Sequence, residues 1–259
     1  MAIKVVIHSP AGGQGKTTLT ANLSMMLADK RNRVLAVDVC SSKGLQIYFN
    51  IEAGFGVSEL LSGTPAGDLI GEIRPNLKFL PGGDLVEAEN ILSRDKLSPF
   101  LNLEKYLKEV EDEFDYILFD TSPTEDSRLF FAVLYYVDKV LVPIETKQAG
   151  VEKIIKFREL LEGVNPRLRE KEGKPSLSIG RVVPYWYSVT RAKVSALEIL
   201  QREFTSSVTN PIGECTGLIE AMTRGESLAD RLKNVKNPRA NEAHILSVYK
   251  DIIKYIAQE

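Results

Sequence analysis

The densest chemistry lies near the start of the chain. There Pro10-Ala11-Gly12-Gly13-Gln14-Gly15-Lys16-Thr17-Thr18 follows a short apolar run, Ile3 to Ile7. Glycine lets a backbone approach phosphate oxygens without a Cβ clash, and Gly12, Gly13 and Gly15 fill that need. Backbone N–H groups converging on a helix N-terminus form an anion site. In such a loop Lys16 would reach the β- and γ-phosphates, the Thr17 hydroxyl would ligate Mg²⁺, and Thr18 would sit near the α-phosphate. Strand, glycine-rich loop, Gly-Lys-Thr-Thr and helix occur in the order phosphate binding requires. The expected cofactors are therefore ATP and Mg²⁺, with Gly12 to Thr18, Gln14 included, as the cradle. Pro10 stands where the general G-x-x-x-x-G-K-[ST] pattern has its first glycine.

Two acids complete the candidate site. Asp38 ends the apolar run Val34 to Val37, and Asp120 ends Tyr116-Ile117-Leu118-Phe119. In doubly wound sheets, ligands sit beyond the carboxyl ends of the strands. That rule brings both carboxylates near the phosphates; the alternative is a pair of turn or helix-capping residues.

The elements that must position these groups follow from periodicity. Further strands are expected at Leu77 to Leu80, Lys139 to Val142 and Leu177 to Val183. Helices are expected from Thr17, over Phe100 to Val110, and over about 126–136, 150–162, 190–204 and 241–257. The charged stretch Asn165 to Pro175 contains Pro and Gly and reads as a surface loop. Apolar strands alternating with amphipathic helices give an α/β fold, a doubly wound, mostly parallel sheet covered on both faces. The 259 residues fit one such domain, spanning 1–259.

Composition narrows the function classes. A net charge of -2 gives no global attraction to nucleic acid or membrane, so such binding needs a local basic patch. Cys40 and Cys215 are isolated, which suits a reducing cytoplasm and argues against a disulfide scaffold or a zinc site. The N-terminus lacks the pattern of a signal peptide. The apolar run Leu129 to Val137 is too short to span a bilayer.

The run Gly12-Gly13-Gln14-Gly15-Lys16-Thr17-Thr18, with Asn22 after it, resembles the deviant phosphate loop of the ParA/MinD family, which does not require glycine at the position of Pro10. The resemblance continues through Val34-Leu35-Ala36-Val37-Asp38, Leu80-Pro81-Gly82-Gly83, Tyr116 to Thr121, Leu141-Val142-Pro143, Pro211-Ile212-Gly213 and the final helix. It implies a P-loop ATPase that hydrolyses ATP, with Lys16 and Asp38 in catalytic roles. Asp120 resembles the Walker B aspartate, which holds Mg²⁺ through water. Asp38 matches the first aspartate of the family's Asp-x-Asp motif and would orient the metal shell or the attacking water. Pro143 falls where family members contact nucleotide.

Two positions depart from the family. Its signature lysine, which crosses a dimer interface to the partner's nucleotide, would occupy position 11, where this chain has Ala11. Lys147, just after the strand ending at Pro143, is the expected substitute, with Lys153 second; the alternative is a solvated surface lysine. The second aspartate of the motif is Cys40. A thiol is ordinarily neutral at pH 7 and cannot stand in for a carboxylate, so hydrolysis is expected to be slow or to rest on Asp38. Cys40 reads as a packing residue.

The resemblance implies a ParA-type cytoplasmic, nucleoid-associated protein. It would form an ATP-state homodimer, bind nonspecific DNA and position a cargo through an adaptor that stimulates hydrolysis. Loss of the signature lysine resembles the carboxysome-positioning branch, with plasmid or chromosome partition as alternatives. Local charge supports DNA. From Ala221 to Ala240, the bases Arg224, Arg231, Lys233, Lys236 and Arg239 face the acids Glu226 and Asp230, a net of +3, and Arg191, Lys193 and Arg202 lie on the preceding helix region. Such a cluster could contact phosphates without reading sequence, or could be an ordinary solvated face.

The competing readings are a MinD-like membrane ATPase, a metabolic ATP-dependent enzyme of the same fold, a hydrolysis-deficient scaffold, and an iron–sulfur reductase. Membrane association is not expected, because Ile245, Val248, Ile252 and Ile256 read as the core face of the last helix. The two cysteines do not fit the cluster-ligand pattern of the reductases.

Overall fold

The computed structural model describes residues 1–94, 100–170, 173–233 and 235–258. In it, β1 (Ile3–Ile7), β2 (Val34–Val39), β3 (Gly71–Arg74), β4 (Leu77–Leu80), β5 (Tyr116–Thr121), β6 (Lys139–Glu145) and β7 (Ile179–Tyr185) form one sheet, in the order β3-β4-β2-β5-β1-β6-β7. Every neighbouring pair is parallel except β3 with β4. This is the doubly wound, mostly parallel α/β sheet expected.

Residues on each strand alternate between two buried layers, as the two-residue period of a strand requires. Val5 and Ile7 enter one apolar cluster with Leu19, Leu23, Tyr249 and Ile252. Val6 enters the other with Leu103, Val133, Ile154 and Leu200. The first layer holds α1 (Lys16–Ala28) and α12 (Ala240–Ile256); the second holds α6 (Leu101–Leu107), α7 (Arg128–Tyr136), α8 (Gln148–Leu168) and α9 (Arg191–Phe204). Strands buried on both faces read as unbroken apolar runs, which is why β2, β5 and β6 were legible.

Several elements have no counterpart in the sequence expectations. They are α2 (Gly44–Phe49), α3 (Val57–Leu61), α4 (Ala66–Leu69), β3, α5 (Leu85–Arg94), α10 (Thr216–Thr223) and α11 (Leu228–Lys233). Most are too short for a helical period to repeat. The surface loop expected from Asn165 is also corrected: α8 continues to Leu168, through Pro166. Tertiary bonds hold this last turn. Asn165 exchanges two side-chain bonds with the backbone of Leu177, both 2.8 Å. Just beyond the helix, the buried Arg169 donates to the carbonyls of Leu134, Tyr135 and Val137 at 2.8–2.9 Å, closing the C-terminal end of α7. Residues 171–172 of that stretch lie outside the described residues. No described helix is long and apolar enough to cross a membrane.

Candidate nucleotide-binding site

The loop between β1 and α1 wraps the N-terminus of α1. Gly15 sits at φ 84°, a left-handed conformation that side chains rarely adopt, and a Cβ there would also press on the Tyr185 ring at 3.3 Å. The Lys16 ammonium, largely buried, donates to the carbonyls of Ala11 at 3.0 Å and Ser9 at 3.3 Å. Burial lowers its pKa, opposed by the neighbouring Asp120 and Cys40. Gln14 fastens the loop on its other side. Its amide donates to the Gly12 carbonyl at 3.0 Å, and its oxygen accepts from the backbone N–H of Glu145 at the end of β6.

Thr17 donates its hydroxyl to Asp120 Oδ2 at 2.6 Å. Room for that hydroxyl is left by Gly44, where a Cβ would come within 2.6 Å of Thr17 Oγ1. Asp38 and Asp120 are register partners on β2 and β5, both fully buried. Burial raises the pKa of each; for Asp120, Asp38 adds to the rise while Thr17 and Lys16 oppose it. The two carboxylates differ in what they can still bind. Asp38 accepts from the backbone of Cys40 at 3.0 Å and of Leu45 at 3.1 Å, so it ties the turn between β2 and α2. Asp120 Oδ1 is buried with no partner among the described residues. An orphaned carboxylate oxygen beside a threonine hydroxyl, under a lysine-bearing loop, is a donor set that suits Mg²⁺.

A cleft of about 600 Å³ opens above this floor. Gly12 to Thr18, Cys40, Ser41, Ser42 and Pro123 line one part; Tyr185, Trp186, Gly213 to Cys215, Leu218, Ile219 and Met222 line another. The wall from β7 and α10 was not among the expected site residues. Its one signal was Pro211-Ile212-Gly213, which leads into it.

Other expected site residues lie elsewhere. Pro143 is buried within β6, paired with Val183, and does not line the cleft. Lys147 also lies outside the cleft lining; it is 59% exposed and pairs with Glu145 at 2.6 Å. Lys153 is exposed on α8.

The expected basic cluster is corrected in part. Arg231 is only 17% exposed and pairs with Glu220 at 2.8 Å and Glu242 at 3.5 Å. Lys233 pairs with Asp29 and Asp230 at 2.8 and 2.7 Å. Three of those acids lie outside the segment 221–240, so a local charge count could not register them. Arg202 pairs with Glu203 at 3.6 Å, and Lys193 donates to the Trp186 carbonyl. Arg191, Arg224, Lys236 and Arg239 are exposed.

A family model described as an AAA domain matches residues 2–172. The "Maintenance of carboxysome distribution protein A" of Synechococcus elongatus is 26% identical over 238 residues, 88% of this chain and 92% of that protein. Among solved structures, a Cyanothece McdA variant in complex with ATP superposes with a TM-score of 0.84 at 21% identity, covering 100% of this chain and 97% of the other. A Mycobacterium smegmatis cobyrinic acid a,c-diamide synthase with bound ATP analog and magnesium gives 0.75 at 19% identity, covering 98% and 93%. The family match takes in β1, the phosphate loop and both strand-end aspartates, and the chain belongs to this AAA-domain family, within its ParA/MinD group of P-loop nucleoside triphosphatases.

Proposed function

We propose that this chain is a ParA-type positioning ATPase: it binds ATP with Mg²⁺ in the cleft, hydrolyses it, dimerises in the ATP state, and holds nonspecific DNA while placing a cargo. The observation that carries the nucleotide step is the Thr17–Asp120 bond, set beside an orphaned Asp120 oxygen and beneath Lys16. Thr17 and Asp120 would hold the ion, which supplies charge neutralisation at the β- and γ-phosphates. Lys16 would balance charge on the transferring phosphoryl group. Asp38 shapes the turn that brings Cys40 and Ser41 to the cleft.

Ala11 leaves the partner-directed charge to another residue, and Lys147 is our candidate. Its ammonium is exposed and held by one carboxylate on the strand end next to the loop. For DNA, the exposed bases Arg191, Arg224, Lys236 and Arg239 are the candidate phosphate contacts. Similarity to carboxysome distribution protein A across most of both chains favours a carboxysome or a comparable body as cargo.

A second reading, a slow or hydrolysis-deficient scaffold, is favoured by Cys40 and by Asp38, whose oxygens are both engaged by backbone N–H groups. Phosphate release with and without DNA, read beside molecular mass in ATP and in ADP, separates the two. DNA-stimulated turnover with ATP-only dimers supports positioning. Dimers without turnover support the scaffold, and turnover with neither response points to a metabolic enzyme.

A further inference from the structure

Trp186 is the chain's sole tryptophan and stands directly after β7, in the wall of the cleft. Its backbone is at φ 57°, a left-handed conformation that is a genuine outlier for a bulky side chain. Its neighbours hold it there. Tyr185 is the last residue of β7, and Tyr187 bonds the Ile212 carbonyl at 3.0 Å and bridges to Gly213. Lys193 fixes the Trp186 carbonyl. Backbone strain of this kind persists only where the surroundings over-determine it, and it concentrates at ligand clamps.

The twist aims the indole at the phosphate loop. Nε1 donates to the Gly13 carbonyl at 3.2 Å, and the side chain remains 37% exposed. The same cleft carries an apolar wall on α10, where Leu218, Ile219 and Met222 line it; Ile219 and Met222 are large apolar side chains left exposed at 53% and 39%. An aromatic plane and an aliphatic wall, both next to a phosphate cradle, suit a flat heteroaromatic ring attached to a polyphosphate.

We propose that Trp186 is the specificity-determining residue of this cleft: its indole takes the face of a purine base, while the phosphate loop takes the polyphosphate. The inference rests on the nucleotide reading above. Purines offer a larger stacking face than pyrimidines, so the clamp prefers ATP over CTP. The indole N–H on Gly13 couples the base wall to the loop, so one aromatic residue serves both ends of the ligand.

The test uses the intact chain with Mg²⁺ and three probes: ATP, CTP and inorganic tripolyphosphate. In the wild type, ATP should change Trp186 fluorescence strongly, CTP less, and tripolyphosphate least. Read by calorimetry, since the substitution removes the chain's one tryptophan, Trp186→Leu should weaken ATP by about tenfold or more relative to the wild type, leave tripolyphosphate within about twofold, and bring the ATP-to-CTP ratio close to one. Trp186→Phe, which keeps a ring and loses the N–H donor, should retain most of the ATP-to-CTP preference. Equal weakening of ATP and tripolyphosphate in Trp186→Leu would assign the residue to loop shape alone and overturn the proposal. An unchanged ATP-to-CTP ratio would overturn it as well. A wild type that binds neither ATP nor tripolyphosphate would overturn the nucleotide reading itself, and the role of Trp186 with it.

Discussion

Asp38 and Asp120 are register partners on adjacent parallel strands, so two fully buried carboxylates stand side by side at the carboxyl edge of the sheet. Asp38 spends its oxygens on backbone N–H groups, and Asp120 keeps one oxygen unpartnered. Such a pair costs stability in the free protein and favours a cation.

Burial and the neighbouring Asp38 hold the Asp120 pKa above its ordinary value. The native state then binds a proton that the unfolded chain has already released. Stability from this group is fully present below about pH 4 and is lost as pH rises through the folded pKa. Asp120→Asn removes the penalty. Without nucleotide or Mg²⁺, the variant should exceed the wild type by about 2 kcal/mol at pH 9, or about 4–8 °C in Tm, and by much less at pH 5. The buried His8, whose pKa desolvation lowers, acts in the opposite direction but in both proteins. Thermal melts of the two proteins at both pH values check this, and an equal offset at pH 5 and 9 would refute it.

Lys16→Ala should weaken ATP binding by about a hundredfold, or about 3 kcal/mol, since charge-assisted bonds to phosphate are strong and have no substitute in the loop. Thr17→Val should bind ATP without the added affinity that Mg²⁺ gives the wild type. Calorimetry with and without Mg²⁺ reads both variants. Retention of the full Mg²⁺ effect in Thr17→Val would remove Thr17 from the metal site.

Lys147→Ala should leave thermal stability within about 1 kcal/mol, because an exposed ion pair contributes little. ATP affinity of the monomer should hardly change, while ATP-dependent dimerisation should be lost. Light scattering across a concentration series in ATP decides the matter. Dimers that persist in both Lys147→Ala and Lys153→Ala would end the role proposed for this region.

The bases of the 221–240 segment should divide into two groups. Arg231→Ala leaves Glu242, which is 2% exposed, without its cation, and should destabilise the fold by about 3 kcal/mol or more. Arg224, Lys236 and Arg239 are exposed, so their combined alanine substitution should spare stability. It should weaken DNA binding and flatten its dependence on salt. Fluorescence anisotropy with a nonspecific duplex across a salt series reads this directly. DNA affinity that survives the triple substitution would exclude the segment.

The sheet, the phosphate loop and the strand-end acids were legible because each rests on local pattern. Runs such as Val34 to Val37 are buried on both faces, and Gly12 to Thr18 carry their geometry in residue type. Pairing across the fold was not legible. Nothing near Arg231 in sequence announces Glu242, and nothing near Lys233 announces Asp29. The role of Trp186 depends on a backbone twist held by Ile212 and Gly213, which no local propensity reveals. Short helices such as α2 escape a periodicity argument, yet α2 supplies the Gly44 space that the Thr17 hydroxyl uses.

Gln14 stands where the phosphate loop meets β6, and its oxygen holds the backbone N–H of Glu145, whose carboxylate in turn grips Lys147. The loop and the exposed lysine are thus links of one short chain of contacts. A shift of the loop on filling would be felt at the Glu145 backbone, at the end of β6, and passed through its carboxylate to the Lys147 ammonium. The side chain at position 14 is therefore a tether: shortening it, as in Gln14→Ala, would leave the cradle's glycines in place but uncouple the state of the loop from the charge offered at the molecule's edge.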